Sequence, residues 1–263
     1  MNDKILTLFS VLLLATVIGL MSWSDLHPQN RDSGKGTDAV SGYYSDNNAT
    51  ADMVPDDNRP VTIAQGEFRY SPEGKTAFIR QGMPPASFTQ RQASILLRFE
   101  GMPKDPEKTL AKIKALVKDW ENQGTDIAVI FLDYRPENPD FKAYSGFIKA
   151  FKKYFLAAPR VLAPVADAAW LDDAKKAGRQ LLQEDVPVFL VEINEPEISA
   201  ELLQKLANLG YRFQLKLPAE TLPAGIDWKA LQDTGLFAGG LLTLDHRKTF
   251  PKEEPKIGIF PKF

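Results

Sequence analysis

The sequence predicts an α/β fold of the (β/α) barrel type, complete or incomplete, over residues 61–263. From Ser94 onward, short β-branched and apolar runs alternate with helical patterns at a spacing of roughly 25–33 residues, which is typical of βαβ units. Residues 98–103, after the first of these runs, do not form a glycine-rich phosphate loop, so a nucleotide-binding sheet is disfavoured. An open doubly wound sheet remains the alternative, because both folds repeat the same unit.

The chain begins with an apolar segment. Residues 5–23 are an uncharged run of nineteen residues. A helix that spans a bilayer needs about 20 apolar residues, whereas the apolar core of a secretory signal is usually about 7–15 residues long. We therefore expect residues 1–24 to form a signal anchor in the inner membrane that leaves the rest of the chain in the periplasm. Cleavage after Ser24, which would release the chain into the periplasm, is the alternative.

A polar stretch follows this segment. Residues 25–60 are rich in Ser, Asp, Asn and Gly, and their apolar residues are isolated from one another. Such a composition buries too little apolar surface to offset the entropy that ordering costs. We therefore predict a disordered linker over residues 25–60, which holds the folded domain of residues 61–263 away from the membrane.

The strands of the domain are predicted from apolar runs between turn residues. A hairpin comes first, with strands at residues 67–70 and 76–80 on either side of a Ser-Pro-Glu-Gly turn, and we expect it to cover one end of the sheet. Six further strands are predicted, at residues 95–99, 127–132, 161–164, 186–191, 212–217 and 239–244.

Helices are predicted between these strands. The first has Asp105 as its N-cap, Pro106 at its first position and Gly124 beyond its end. The second carries aromatic and apolar side chains at helical spacing over residues 144–155, with Asp140 as its cap. A third is expected around residues 174–182, a fourth ends before Gly210, and a fifth starts at Asp227. The apolar stripes of these helices are expected to pack on the sheet.

The composition excludes several classes of function. The formal net charge is -2, and no block of Lys and Arg interrupts the sequence, so we expect no nucleic-acid partner. The chain has no cysteine, which rules out disulfides, zinc thiolates and a cysteine nucleophile. His246 is the single histidine of the predicted domain, which disfavours both a serine triad and a transition-metal site. We expect no metal and no cofactor.

Several motifs of the predicted barrel resemble a bacterial family described as domain of unknown function 3142. The motifs that carry the resemblance are residues 95–101, residues 130–134, Tyr144 and Phe147. The resemblance covers residues 94–171 and implies a (β/α) barrel related in shape to glycoside hydrolases. In that family the second strand tends to end in two aspartates around a tyrosine, whereas here Arg135 follows Tyr134. This departure removes one carboxylate from that strand end.

Polar side chains cluster after the predicted strands, at the rim where parallel α/β folds place their ligand sites. Because side chains alternate along a strand, Asp133 and Arg135 should share a face, as should Arg98 and Glu100. Paired carboxylates suit glycoside hydrolysis, in which one is protonated and the other is ionised. The candidate catalytic residues are Asp133, Glu192 and Glu100. The candidate substrate-binding residues are Arg98, Tyr134, Arg135, Trp170 and Asn194.

In this hypothesis the arginines keep one carboxylate ionised, and the rings of Tyr134 and Trp170 stack on a sugar. The alternative is that the same residues form a salt-bridge network that closes the top of the barrel. At the level of function, the first hypothesis is an exported envelope protein that binds or hydrolyses a glycan. The second is a non-catalytic module that binds a protein partner in envelope assembly.

Overall fold

The structure is a computed structural model that describes residues 40–46, 53–55, 57–71, 73, 75–82, 92–155, 161–176, 188–192, 208, 210, 212–217 and 228–244. The predicted signal anchor, the fourth predicted helix apart from Asn208, and Asp227, where the fifth helix was predicted to start, lie outside the described residues. Within the described ranges, no helix has the length and apolar character that a membrane span requires.

Eight parallel strands close into a barrel in the described part of the chain, and a ninth strand lies outside it. The strands are β1 (Val40–Ser45), β2 (Val61–Tyr70), β3 (Thr76–Arg80), β4 (Ala93–Phe99), β5 (Ile127–Asp133), β6 (Val161–Ala166), β7 (Phe189–Glu192), β8 (Phe213–Leu217) and β9 (Phe237–Thr243). The barrel runs β1-β2-β4-β5-β6-β7-β8-β9 and returns to β1, while β3 pairs antiparallel with β2. The prediction of a (β/α) barrel is confirmed, and closure excludes the open doubly wound sheet.

Four helices connect or flank these strands within the described residues: α1 (Pro106–Asn122), α2 (Phe141–Tyr154), α3 (Ala168–Lys176) and α4 (Trp228–Asp233). The two predicted caps are confirmed, because the Asp105 carboxylate accepts from the backbone N of Lys108 at 3.2 Å and the Asp140 carboxylate accepts from that of Ala143 at 2.9 Å. Helix α3 begins six residues before the predicted position. Its early start places Trp170 inside a helix rather than on a loop.

The predicted hairpin forms, but its first strand has a different role from the one expected. Strand β2 starts at Val61, six residues earlier than predicted, and pairs in parallel with both β1 and β4. It is therefore a strand of the barrel wall rather than a cover over one end. Among the strands of the described residues, β3 alone stands outside the wall, where Lys112 of α1 donates to the carbonyl of Thr76 at 3.0 Å.

Strand β1 lies within residues 25–60, where a disordered linker was predicted. It closes the barrel between β9 and β2, and Tyr43 and Tyr44 are buried. The disorder predicted for this strand is wrong, because its two neighbours supply the backbone hydrogen bonds and the burial that its own composition does not. Gly239 of β9, with φ of 103°, permits the close approach, since a β-carbon there would lie 2.4 Å from that of Ser41.

Alternating side chains divide each strand between the helices and the barrel interior. Ile95, Leu97 and Phe99 of β4 belong to the core that α1 and α2 cover, while Leu96 and Arg98 take the opposite face. On this inner face, apolar side chains fill the middle of the barrel, and charged ones follow at the carboxyl ends of the strands. The fold thereby gathers the charged residues of several strands at one mouth.

Candidate functional site

The charged layer at the barrel mouth follows from the strand register. Arg98 of β4 pairs with Glu67 of β2 on one side and with Asp133 of β5 on the other. On the far side of the mouth, Glu192 of β7 pairs with Lys216 of β8. All five positions face the interior, because their neighbours along each strand belong to the helix-facing core. The barrel therefore presents an alternation of acidic and basic groups around its mouth.

Asp133 is held by two arginines and is almost fully buried, with 4% of its side chain exposed. Its Oδ1 accepts from Nε of Arg135 at 2.6 Å. Its Oδ2 accepts from Nη2 of Arg135 at 3.1 Å and from Nε of Arg98 at 3.2 Å. Both oxygens of this carboxylate therefore have charged donors, as an ion pair this deeply buried requires.

Arg135 lies at the centre of the mouth and contacts three carboxylates. Besides Asp133, its Nη1 lies 3.4 Å from Oδ2 of Asp167, and its Nη2 lies 2.6 Å from Oε2 of Glu192. Burial of the Arg135 side chain lowers its pKa, but the hydrogen bond and charge of Asp133 and the charge of Glu192 outweigh burial and raise it. The guanidinium is a fixed cation that joins the three carboxylates.

Glu192 is the second predicted catalytic residue, and it is also paired. It accepts from Nζ of Lys216 as well as from Arg135. Burial raises the pKa of Glu192, whereas the hydrogen bond and charge of Lys216 and the charge of Arg135 lower it. The lowering is the larger effect, so the pKa of Glu192 lies below its usual value. Glu192 is therefore an ionised carboxylate at neutral pH, which does not suit the role of a proton donor.

Lys216 also contacts an aromatic ring that the sequence analysis assigned to the linker. Its Nζ lies 4.1 Å from the centre of the Tyr44 ring, which is a cation–π geometry. Burial, followed by the charges of Glu192 and Asp133, raises the pKa of Tyr44, so its phenol stays neutral. Tyr44 forms part of the wall of the mouth, beside the pair of Lys216 and Glu192.

Glu100, the third predicted catalytic residue, lies at the outer rim. Half of its side chain is exposed, and its Oε1 lies 3.2 Å from Nε of Arg69. Arg69 also contacts Glu67 at 3.1 Å. Burial raises the pKa of Glu67, but the hydrogen bond from Arg69 and the interaction with Glu100 lower it overall. Glu100 thus stands outside the ion pairs of Asp133 and Glu192 and is linked through Arg69 to Glu67, a residue that was not among the predicted site residues.

Tyr134 and Trp170 do not offer rings to a ligand. Each residue is 3% exposed. Tyr134 stacks on Tyr144 with ring centres 5.2 Å apart, and Nε1 of Trp170 donates to the carbonyl of Tyr134 at 2.8 Å. The alternation that turns Asp133 and Arg135 to the mouth turns Tyr134 to the helices, while the Trp170 ring packs against the rings of Phe141 and Tyr144. Burial therefore leaves neither ring a free face on which a sugar could stack.

A pocket of about 280 Å³ opens at the mouth beside these pairs. Its lining comprises Arg98, Phe99, Glu100, Asp133, Arg135, Pro136 and Asp167. Arg98 and Glu100 are the exposed charged groups of this lining, with 59% and 51% of their side chains accessible. The predicted residue Asn194, together with Asp245 and His246, lies outside the described residues. No group of three potential metal ligands occurs in the part of the chain that the structure describes.

The arrangement can bind a small polar ligand more readily than it can cleave one. The pocket offers guanidinium donors from Arg98 and carboxylate acceptors from Asp167 and Glu100 on a rigid barrel rim. A glycosidase acid must be protonated and must reach the leaving oxygen. Glu192 has a lowered pKa, and both oxygens of Asp133 are occupied by arginines.

The comparisons with known proteins bear on the fold of the chain and not on its family. No family model matches the chain, so the resemblance to domain of unknown function 3142 stays a prediction. No curated protein matches it either. Among solved structures, the chain is similar to the chitinase ICChI of Ipomoea carnea, with 11% identity, a TM-score of 0.49, and coverage of 77% of this chain and 94% of that chain. A likeness at this level says nothing about the ligand of this chain.

Proposed function

We propose that the barrel is a non-hydrolytic binding domain that takes a small saccharide in the pocket beside Arg98 and Asp167. The observation that carries the proposal is the position of the Arg135 guanidinium, which bonds to both Asp133 and Glu192 while the neighbouring pocket stays open. The two carboxylates that would have to cleave a glycosidic bond are used to hold the mouth in shape.

The pocket chemistry favours a polyhydroxylated ligand. Each sugar hydroxyl both donates and accepts hydrogen bonds. Arg98 supplies donors, and the partly exposed carboxylates of Asp167 and Glu100 supply acceptors. The ion pairs beneath the pocket fix the positions of these groups, so little side-chain entropy is lost when a ligand binds.

We propose the bacterial envelope as the place where this domain acts. The support is the uncharged run of residues 5–23, whose length suits a signal anchor. In this proposal the anchor stays in the inner membrane, and the barrel faces the periplasm, where envelope glycans are available to it.

A second candidate is a protein-binding module, and the edge strand β3 favours it. Within the described residues, no strand pairs with the outer edge of β3, and Ile79 is 38% exposed there. Free strand edges accept extended peptides by β-addition. A partner bound in this way would leave the charged mouth untouched, so substitutions in the pocket and on β3 separate the two candidates.

Thermal unfolding of the full-length chain with a panel of envelope glycans tests the proposal. A ligand that binds only the folded state raises the unfolding midpoint as its concentration exceeds its dissociation constant. We expect a saturable rise for the wild type and a smaller one for Asp167→Asn, which changes an acceptor of the pocket. The matched control is Asp119→Asn, whose carboxylate pairs with Arg80 away from the pocket.

Two results would count against the proposal. If no glycan shifts the midpoint, saccharide binding is refuted and peptide binding at β3 becomes the better candidate. If chromatography detects a cleaved glycan whose formation stops in Asp133→Asn, the domain is hydrolytic and the structural role assigned to Asp133 is incorrect.

A further inference from the structure

We infer that the pocket selects a saccharide that carries a carboxylate, and that Arg98 is the residue that binds this carboxylate. The inference rests on the proposed function and names the ligand class of the same site. It depends on how much of the hydrogen-bonding capacity of each charged residue around the pocket is already in use.

Arg98 is anchored at one end and exposed at the other. Its Nε bonds to Asp133 at 3.2 Å, which fixes the direction of the guanidinium. Across the described residues, this is its one ion pair, and 59% of the side chain is exposed. A guanidinium has five N–H donors, so the two terminal nitrogens keep donors for a ligand.

The other charged groups of the pocket already have partners. The three guanidinium nitrogens of Arg135 form ion pairs with Asp133, Asp167 and Glu192. Oδ1 of Asp167 accepts from the backbone N of Trp170 at 2.7 Å, so this carboxylate also caps α3. Glu100 pairs with Arg69. The Arg98 guanidinium therefore retains the largest unused donor capacity in the lining.

A carboxylate is the ligand group that fits this donor best. The parallel N–H bonds of a guanidinium match the two oxygens of a carboxylate, and such charge-assisted pairs are shorter and stronger than bonds to neutral hydroxyls. A sugar acid would place its carboxylate on Arg98 and its ring hydroxyls near Asp167 and Glu100. The corresponding neutral sugar would keep only the hydroxyl contacts.

Arg98 can be replaced without removing the support of the mouth. Asp133 would keep its hydrogen bonds from Arg135 at 2.6 and 3.1 Å, so a loss of binding in an Arg98 variant would not reflect an unpaired buried carboxylate. Arg98→Lys preserves the charge but not the planar pair of donors. Arg80→Lys is the matched control, because Arg80 is exposed and pairs with Asp119 away from the pocket.

The experiment is calorimetric titration of the full-length chain with methyl β-glucuronide, with methyl β-glucoside and with acetate. We expect the glucuronide to bind about tenfold or more tightly than the glucoside, since a hydrogen bond to a charged group is stronger than one to a neutral group. Arg98→Lys should weaken glucuronide binding by about tenfold and glucoside binding by less, because only the carboxylate uses the planar pair of guanidinium donors. Arg80→Lys should bind both as the wild type does.

Each contrary outcome identifies which claim fails. Equal affinity for the two glycosides would overturn the inference and leave the proposed function standing. Absence of binding by either glycoside would overturn both. Acetate binding as tight as that of the glucuronide would show a simple anion site and would refute the saccharide. Unchanged discrimination in Arg98→Lys would refute the role of Arg98.

Discussion

Arg135 Nη2 lies 2.6 Å from Oε2 of Glu192, and this ion pair joins the ends of two strands that are not neighbours in the barrel. Arg135 follows β5 and Glu192 ends β7, while β6 lies between them. The pair therefore braces the mouth across an intervening strand, at a point where no backbone ladder connects β5 with β7. This brace leads to the first prediction.

Replacement of Arg135 by Met should destabilise the barrel strongly. The substitution removes a partner from Asp133 and Glu192, whose side chains are 4% and 17% exposed. Breaking a buried ion pair typically costs about 3–5 kcal/mol, because the remaining charge is buried without compensation. Urea unfolding measures this loss. Arg80→Met, which breaks an exposed pair with Asp119, should cost under about 1 kcal/mol. Equal losses in the two variants would show that the brace does not stabilise the fold.

The stability of the protein should fall in acid because of Glu192. Its pKa in the folded state lies below its ordinary value of 4.5, so its contribution is complete above that value and is lost as the pH falls through the folded-state pKa. The advantage of the wild type over Glu192→Gln should therefore shrink as the pH drops below 4.5. Unfolding free energies of both proteins across about pH 3–7 measure this difference. A difference that is constant with pH would contradict the prediction.

Replacement of Trp170 by Phe should lower stability and leave ligand binding unchanged. The indole Nε1 bonds to the buried carbonyl of Tyr134, and an unsatisfied buried carbonyl costs about 1–3 kcal/mol. Thermal unfolding with and without the glycoside measures both properties in one experiment. Trp228→Phe is the control, since Trp228 is half-buried and contacts the Phe237 ring. A loss of binding in Trp170→Phe alone would restore the stacking role that burial argues against.

Replacement of Gly239 by Ala tests the closure of the barrel. At φ of 103°, and with a new β-carbon 2.4 Å from that of Ser41, the variant must either strain β9 or push β1 away. Backbone strain of this kind costs on the order of 1–3 kcal/mol. Gly146→Ala is the control, because Gly146 lies exposed in α2 with open space around it, and alanine there should stabilise by roughly 0.5–1 kcal/mol. A harmless Gly239→Ala variant would contradict the contact of β1 with β9.

The parts of the fold that were predicted correctly depend on local sequence signals. The Asp105 cap, the apolar face of α1 and the central strands each show a pattern within a few residues. The gathering of Asp133, Arg135 and Glu192 at one mouth also followed, because parallel strands end on the same side. The alternative prediction, a salt-bridge network at the top of the barrel, describes how these groups pair with each other, but local patterns did not reveal which residues form each pair.

The parts that were missed depend on partners distant in sequence. Strand β1 has the composition of a linker, and only its pairing with β9 and β2 buries Tyr43 and Tyr44. The role of Glu67 depends on its register beside Arg98. The orientation of Tyr134, by contrast, was available from the alternation of residues 133–135, which places its ring opposite Asp133 and Arg135.

The pairing of β1 with β9 also constrains when the chain can fold. Residues 40 and 240 are partners in this ladder, so ring closure must wait until nearly two hundred residues beyond β1 have been synthesised. Folds dominated by contacts this distant in sequence form slowly. If the chain is exported as we propose, slow closure keeps it unfolded while it passes through a translocation channel. The barrel then forms only after β9 has crossed the membrane.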